Sequence, residues 1–415
     1  MPSVSDTEAI ILNLVQPLDN RQNIEIVDLL AADSRILATP VISPLDFPHW
    51  DNSAMDGYAV RYEDVQHSSN EQPAILEIVE DIPAGNQPKS TIQPGQAARI
   101  FTGAVMPAGT DTVIMQEKTR REENRVFILA APTNSQEFVR HKASFYQAGT
   151  QLLPAGIRLN AQEIAVLAAA KCPQLNVYRR PRVAIFSSGN ELVTLDRPLQ
   201  PGQIVDSNQY ALAVLVRESG GEPLLLGIVK DDPVALEKVM SHGIANADIV
   251  LSSGGVSVGD YDYVDQILES LGAKIHIRAV EMRPGKPLTV ATFPTQNSPI
   301  YFGLPGNPAA ALVTFWRFVQ PTIKKLSGLA EGWQPVFVKV RSHDELRSDG
   351  KREAYIWGRL DIVDGVYQFY KAGGSHSSGN LINLAQTNAL AVLPIDTTLI
   401  SPQEEVQVLQ VGFNN

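Results

Sequence analysis

Five short loops concentrate the residue types that handle charged ligands. They read "SSGNEL" (187–192), "KDDP" (230–233), "SSGGVSVGDYDY" (252–263), "RPGKP" (283–287) and "GLPGNPAAA" (303–311). Small residues and glycine let backbone N–H groups approach an anion, and a helix that starts just beyond adds partial positive charge, a combination suited to phosphate. The same loops carry Glu191, Asp231, Asp232, Asp260 and Asp262. Carboxylates beside a phosphate repel it unless a divalent cation lies between, so a Mg²⁺-bridged phosphate ligand is expected. Arg283 and Lys286, each followed by a proline in a stiff loop, pre-position two cations for a small oxyanion. Each loop also has a plainer reading. Asp260 or Asp262 can cap the helix "YVDQILESL", Asp231 or Asp232 can cap a helix that begins at Pro233, and "RPGKP" can be a surface turn. Capping leaves unexplained why glycine-rich turns and a cationic loop fall together.

The elements around these loops explain the grouping. Apolar runs "RVAIFS", "PLLLGIV", "ADIVLSS" and "IYFGL" alternate with the helical stretches "QYALAVLVRES", "PVALEKVMSHGI", "YVDQILESLGA" and "AAALVTFWRFVQPTIKKL". Strand alternating with helix implies a doubly wound parallel sheet, in which ligands bind beyond the carboxyl ends of the strands. Before it, residues 45–145 hold short β-rich runs ("AILEIVE", "AARIFTG", "DTVIMQE") between Pro/Gly turns, and read as a β-rich insertion. Residues 1–44 and 146–178 carry helical periodicity at Ile10, Leu12, Leu14, Ile26, Leu29 and Leu30 and again in "NAQEIAVLAAAKC", and are expected to form a helical stalk for the insertion. The α/β domain is expected over 179–328. Five strand-like runs after Gly328 imply a C-terminal β domain over 329–415. The fold class is therefore multidomain α/β plus β.

A sixth polar stretch, "FPHWDNSAMDGYAV" (47–60), crowds Asp51, Asn52, Ser53, Asp56 and Gly57 between Trp50 and Tyr58. Its residues suit a turn, and equally a surface that faces a ligand.

Composition narrows the classes. A chain of 415 residues with 44% hydrophobic and 19% charged residues can bury two to four cores. Its net charge of -11 argues against nonspecific nucleic-acid binding, since the basic run "KTRREENR" reads as a solvated hairpin end. No apolar run reaches membrane-spanning length, and the first residues lack the basic region of a secretory signal, so a cytoplasmic location is expected. The single cysteine, Cys172, reads as a buried structural thiol. "GGVSVGD" has Asp260 where a P-loop requires Lys, there is no G-x-G-x-x-G, and the seven histidines have no zinc-site spacing. His376, in "GGSHSSGN", reads as an exposed loop residue or a ligand contact.

Taken in order, "DNSAMDGYAV", "RIFTGAVMPAGTDTVIMQE", "SSGNEL", "SSGGVSVGDYDY", "RPGKP" and "GLPGNP" resemble the MoeA family of molybdopterin molybdenumtransferases, which includes the gephyrin E domain, over essentially the whole chain. The resemblance implies a MogA-like α/β domain, a C-terminal β-barrel-like domain and a homodimer. It implies an enzyme of molybdenum cofactor biosynthesis that takes adenylylated molybdopterin and molybdate, inserts the metal at the dithiolene with Mg²⁺, and releases AMP. Asp56 and Thr102 then match polar positions that reach the partner subunit's site. Glu191, Asp231 and Asp262 match acidic positions for nucleotide and Mg²⁺, with Asp231 and Asp262 as the metal ligands. Ser257, Pro305, Gly306 and Asn307 in the glycine-rich loops, with Arg283, Lys286, Arg352 and Ser378, match the molybdate and phosphate pocket. The preceding adenylyltransferase and molybdoenzyme acceptors are the protein partners it implies. Three departures stand out: Ala143-Ser144-Phe145 replaces an acidic segment, Ala310 replaces a common Ser, and Trp357 stands where an Arg is usual. They keep a second reading in view, a non-catalytic carrier or assembly scaffold for molybdopterin.

Overall fold

The computed structural model describes residues 1–254, 261–294 and 298–412, without the side chains of Tyr261, Asp262 and Tyr263. The chain divides into two compact units, Pro40–Pro154 with Ala161–Pro173, and Met1–Thr39 with Ala155–Asn160 and Gln174–Asn415.

The first unit is built on a six-stranded sheet in the order Thr112–Met115, Gly57–Val60, Gln96–Ile100, Ala74–Ile82, Arg125–Ile128, Thr119–Glu122. Side chains alternate across it, as the period of two requires. Tyr58, Val60, Ala97, Ile114 and Val126 face one core, and Ala59, Ala98, Ile100 and Val113 the other. Gly57 is obligatory here, because a Cβ would lie 2.0 Å from the Ile114 carbonyl oxygen. The basic run is the hairpin Thr119–Glu122/Arg125–Ile128 that its composition suggested. The helix Ala161–Ala169 belongs to this unit. Cys172 is half-buried rather than buried, and desolvation raises its thiol pKa.

The second unit opens with the helix Val4–Leu14, whose cap Ser3 accepts from the Asp6 N–H at 3.1 Å. Residues 24–28 depart from the helical reading. Ile24–Asp28 is a strand paired antiparallel with Gln174–Tyr178, because "IEIV" alternates β-branched residues with period two and only imitates a helical spacing when joined to Leu29 and Leu30.

The central sheet runs Glu222–Val229, Arg182–Ser188, Ile249–Ser253, Ile300–Leu304, Pro287–Thr292, Lys274–Ala279. The first four strands are parallel, and Pro287–Thr292 is antiparallel to both neighbours, so the sheet is mixed rather than wholly parallel. The two added strands escape a sequence reading because charges and prolines break their apolar runs. Both faces are covered, which makes the fold doubly wound. Val183, Ile185, Leu251 and Phe302 pack beneath the helices Asn208–Glu218 and 308–326, and Ala184, Phe186, Val250 and Tyr301 beneath Pro233–Asn246 and Tyr261–Ser270. The helix over 308–326 carries a π turn at Phe315–Val319.

After it, Phe337–Ser342, Glu353–Val363, Val366–Lys371, Ala389–Leu393 and Glu405–Gln410 close into a five-stranded barrel, with Glu353–Val363 paired to both Val366–Lys371 and Ala389–Leu393. Ala354, Ile356, Phe369, Ala391 and Val408 fill it. The alternate residues Tyr355, Trp357, Leu390, Val392 and Leu409 join the core of the α/β sheet. This single core fixes the barrel against the sheet, and Met282–Arg283 pairs parallel with Glu353–Ala354 across the junction. Among the described residues no helix is long and apolar enough to cross a membrane.

Candidate functional site

The four parallel strands all end, at their carboxyl ends, on one cavity of about 1620 Å³ within the second unit. Ser188, Gly189 and Glu191 follow Arg182–Ser188, Asp231 follows Glu222–Val229, Gly254 follows Ile249–Ser253, and Pro305, Gly306 and Asn307 follow Ile300–Leu304. Close approach of two of these loops requires a glycine at 254. Gly254 has φ +88°, and a Cβ there would sit 2.2 Å from the Ser188 carbonyl oxygen. The amide of Asn208 ties the loops together, donating to Ser253 Oγ at 2.6 Å and to the Gly306 carbonyl at 2.8 Å.

The two adjacent aspartates separate in role. Asp232 caps the helix Pro233–Asn246, accepting from the Ala235 N–H at 2.9 Å with Pro233 at the first turn. Asp231 lines the cavity and accepts from the Ser188 hydroxyl. Glu191 folds back over Gly189, where a Cβ would lie 2.7 Å from its carboxylate.

The opposite wall is cationic. Arg283 and Lys286 come from the "RPGKP" loop, and Arg352 comes from the approach to the longest barrel strand. Arg352 Nη1 donates to the Met282 carbonyl at 3.3 Å, and Arg283 Nη1 to Asp349 Oδ2 at 2.7 Å. Asp349 is held below the usual carboxylate range by the Lys351 N–H first, then by Arg283 and Arg352. Lys286 is exposed and has no anionic partner among the described residues. The loop at Ser378 closes this wall, its carbonyl accepting from the Ala309 N–H at 3.1 Å at the start of the helix over 308–326.

Behind the wall, a buried chain of hydrogen bonds fixes the barrel strand. Arg317, in the π turn, donates through Nε to the Tyr355 hydroxyl at 3.0 Å and through Nη2 to Glu8 at 2.8 Å, and Tyr355 donates to Glu353 at 2.5 Å. Burial opposes the charge on Arg317, yet Glu8 and Tyr355 hold its guanidinium above its ordinary pKa.

Of the residues expected from sequence, Glu191, Asp231, Arg283, Lys286, Pro305, Gly306, Asn307, Arg352 and Ser378 therefore share one cavity. Ser257 and the side chain of Asp262 lie outside the described residues, as does Asp260. Asp56 and Thr102 lie together in the other unit, where Asp56 Oδ1 accepts from the Thr102 N–H and hydroxyl, each at 2.7 Å. These bonds, with Arg99 nearby, lower the Asp56 pKa. Asp51 is a turn cap, accepting from the Lys142 N–H at 2.7 Å.

Sequence reasoning missed Asp206, Ser207 and Asn208, which also line the cavity. The string "VDSNQ" before a helix was the available signal. His376 is a half-buried cavity residue, not an exposed loop histidine. Its ring lies 4.6 Å from Trp357, and its Nε2 pairs with the Ala372 carbonyl at 2.8 Å. Ala310 and Trp357 both face the cavity from buried positions.

Three family descriptions match the sequence in chain order: the MoeA N-terminal region (domain I and II) over 2–170, a probable molybdopterin binding domain over 184–325, and the MoeA C-terminal region (domain IV) over 339–411. A molybdopterin molybdenumtransferase from Nostoc sp. is 76% identical over 411 residues, covering 99% of this chain and 94% of the relative. The chain belongs to the molybdopterin molybdenumtransferase family. The likeness extends to a Haemophilus influenzae molybdopterin molybdenumtransferase, 33% identical with 92% and 93% of the two chains covered. A crystal structure of a molybdopterin biosynthesis MoeA protein from Pyrococcus horikoshii superposes with a TM-score of 0.83 at 27% identity, over 99% of this chain and 100% of that one. For a molybdopterin molybdenumtransferase, acidic loops and a cationic wall facing one another across a single cavity are the arrangement to be explained.

Proposed function

We propose that this enzyme of molybdenum cofactor biosynthesis inserts molybdate into adenylylated molybdopterin and releases AMP in a Mg²⁺-dependent step. The observation that carries the reading is the two-sided cavity, with Glu191 and Asp231 on one wall and Arg283, Lys286 and Arg352 on the other. The glycine-rich loops at Gly189, Gly254 and Gly306 give backbone N–H groups room to meet the pyrophosphate. The cations and the Ser378 hydroxyl hold molybdate, a dianion, beside the dithiolene. Catalysis is then chiefly positioning and electrostatics.

Among the described residues no three acidic, His or Cys side chains gather into a metal cage. That suits Mg²⁺, which takes one or two carboxylates and fills its shell with water and phosphate oxygens. Asp231 would be the protein ligand on the described edge, with Asp262 as the further donor the family pattern supplies. Held there, the cation would supply charge neutralisation at the phosphate.

The proposed assembly is a cytoplasmic homodimer in which Asp56 and Thr102 complete the partner subunit's site. It is supported by the exposure of Phe47, Trp50 and Phe145 on the same unit, a grouping of large apolar side chains that water disfavours. The four-part division into stalk, insertion, α/β and C-terminal domains, with the adenylyltransferase and molybdoenzyme acceptors as successive partners, belongs to the same reading. Single turnover with adenylylated molybdopterin, molybdate and Mg²⁺ tests it, read by AMP release and metal incorporation.

A further inference from the structure

A second, smaller cavity of about 190 Å³ lies elsewhere in the same unit, and cations dominate its wall. Arg35, Arg158, Arg179, Arg180 and Lys324 all line it, in a chain whose net charge is -11. Two of the five are spoken for. Arg35 pairs with Glu25, and Arg179 forms a two-pronged bond to Asp248, with both contacts at 2.7 Å. Glu222, the other carboxylate facing this side, pairs with Arg182. Arg158, Arg180 and Lys324 have no anionic partner among the described residues.

Helix ends do not absorb this charge. The helices Asn208–Glu218 and Gln320–Leu326 both end against the cavity, at Ser219–Gly220 and Ser327. A helix C-terminus carries roughly half a negative charge, so two supply about one unit against three. Carbonyls of their last turns are also occupied: Val216 accepts from the Gly221 N–H and Arg217 from the Gly220 N–H, while Lys325 accepts from the Gly328 N–H and Leu326 from the Leu18 N–H. A positive excess remains, moderated at Arg180 by the charges of Glu25 and Glu222. Burial first, then Arg35 and Arg158, push the Arg180 guanidinium below its ordinary pKa, and burial with Arg158 does the same to Lys324.

The cavity is also rigidly walled. Gly328 has φ +87°, and a Cβ there would lie 2.4 Å from the Tyr178 ring, so glycine is what lets the chain close on that wall. Arg35 clamps the Tyr178 carbonyl at 2.8 Å.

We propose that Arg158, Arg180 and Lys324 form a second anion site, separate from the substrate cavity, for a tetrahedral dianion, either free or as a terminal phosphate monoester. Guanidinium and ammonium donors around a void of this size leave room for four oxygens in a tetrahedron, and a doubly charged ion answers the positive excess.

Calorimetric titration of the full chain with inorganic phosphate at low ionic strength tests this. Two equivalents per chain are expected. Arg180→Gln with Lys324→Gln removes one, and Lys286→Ala leaves that one in place. The AMP arm is read on the equivalent that Arg180→Gln with Lys324→Gln removes: its displacement by AMP assigns the site to a terminal monoester, and its persistence in AMP assigns it to the free ion. Thermal midpoints guard against a folding defect. The double variant is expected to match the wild type without phosphate, or exceed it, and to lose at least half of the phosphate-dependent rise. An unchanged phosphate stoichiometry in the double variant would overturn the proposal, as would a lower midpoint without phosphate combined with an unchanged phosphate-dependent rise.

Discussion

Arg283 Nη1 lies 2.7 Å from Asp349 Oδ2, so one of the cations on the substrate wall is held by a carboxylate of the neighbouring barrel loop. Both side chains are partly exposed, and the pair is screened accordingly. The pairing orients Arg283 and at the same time offsets its charge. Asp349→Asn keeps the shape and removes the competing charge. Molybdate should bind about threefold to tenfold more tightly at low salt, with the gain fading at high salt. Equilibrium binding at two ionic strengths checks this, and weaker binding at both would show that orientation dominates.

The adjacent aspartates give a sharper contrast. Asp232→Ala removes a helix cap and should cost about 1 kcal/mol of stability while turnover stays within twofold. Asp231→Ala should leave the unfolding midpoint nearly unchanged and lower turnover by tenfold or more. Unfolding curves and single-turnover rates on both variants decide it, because equal effects would erase the distinction.

Tyr355→Phe probes the buried chain behind the cationic wall. The substitution leaves Arg317 Nε and Glu353 without their shared hydroxyl, so a loss of about 1–3 kcal/mol is expected in denaturant unfolding. A neutral result would mean that water replaces the hydroxyl.

Acid should weaken the β-rich unit. Asp46, Asp51 and Asp56 each accept a backbone N–H, from Ala148, Lys142 and Thr102 respectively, and all three carboxyls are held below their usual pKa. A depressed carboxylate stabilises the fold fully above its unfolded pKa of about 4, and that contribution is lost as pH falls through the lowered folded value. Unfolding midpoints should therefore drop steeply below about pH 4. Asp51→Asn should flatten that drop; a profile identical to the wild type would remove Asp51 from the explanation.

Much of the site was legible in the sequence because strand-end loops advertise themselves. "SSGNEL", "KDDP" and "GLPGNP" each follow an apolar run, and the end of a parallel strand is where a ligand meets the sheet. Less visible was whatever depends on partners distant in sequence. No local signal says that Arg283 meets Asp349, that Asp231 rather than Asp232 turns inward, or that His376 packs against Trp357. Local patterning misled at Ile24–Asp28, where the partner strand Gln174–Tyr178 lies far along the chain. The antiparallel Pro287–Thr292 was hidden for a related reason, since its neighbour Lys274–Ala279 alternates charge with apolar residues.

The two-sided cavity is the centre of the account, and single turnover is its most direct test. Enzyme in excess over adenylylated molybdopterin, with molybdate and Mg²⁺, should release AMP and retain molybdenum in equal amounts, and Lys286→Ala should slow both together. Tight binding of adenylylated molybdopterin with neither AMP release nor metal incorporation would contradict the account and leave a carrier in its place.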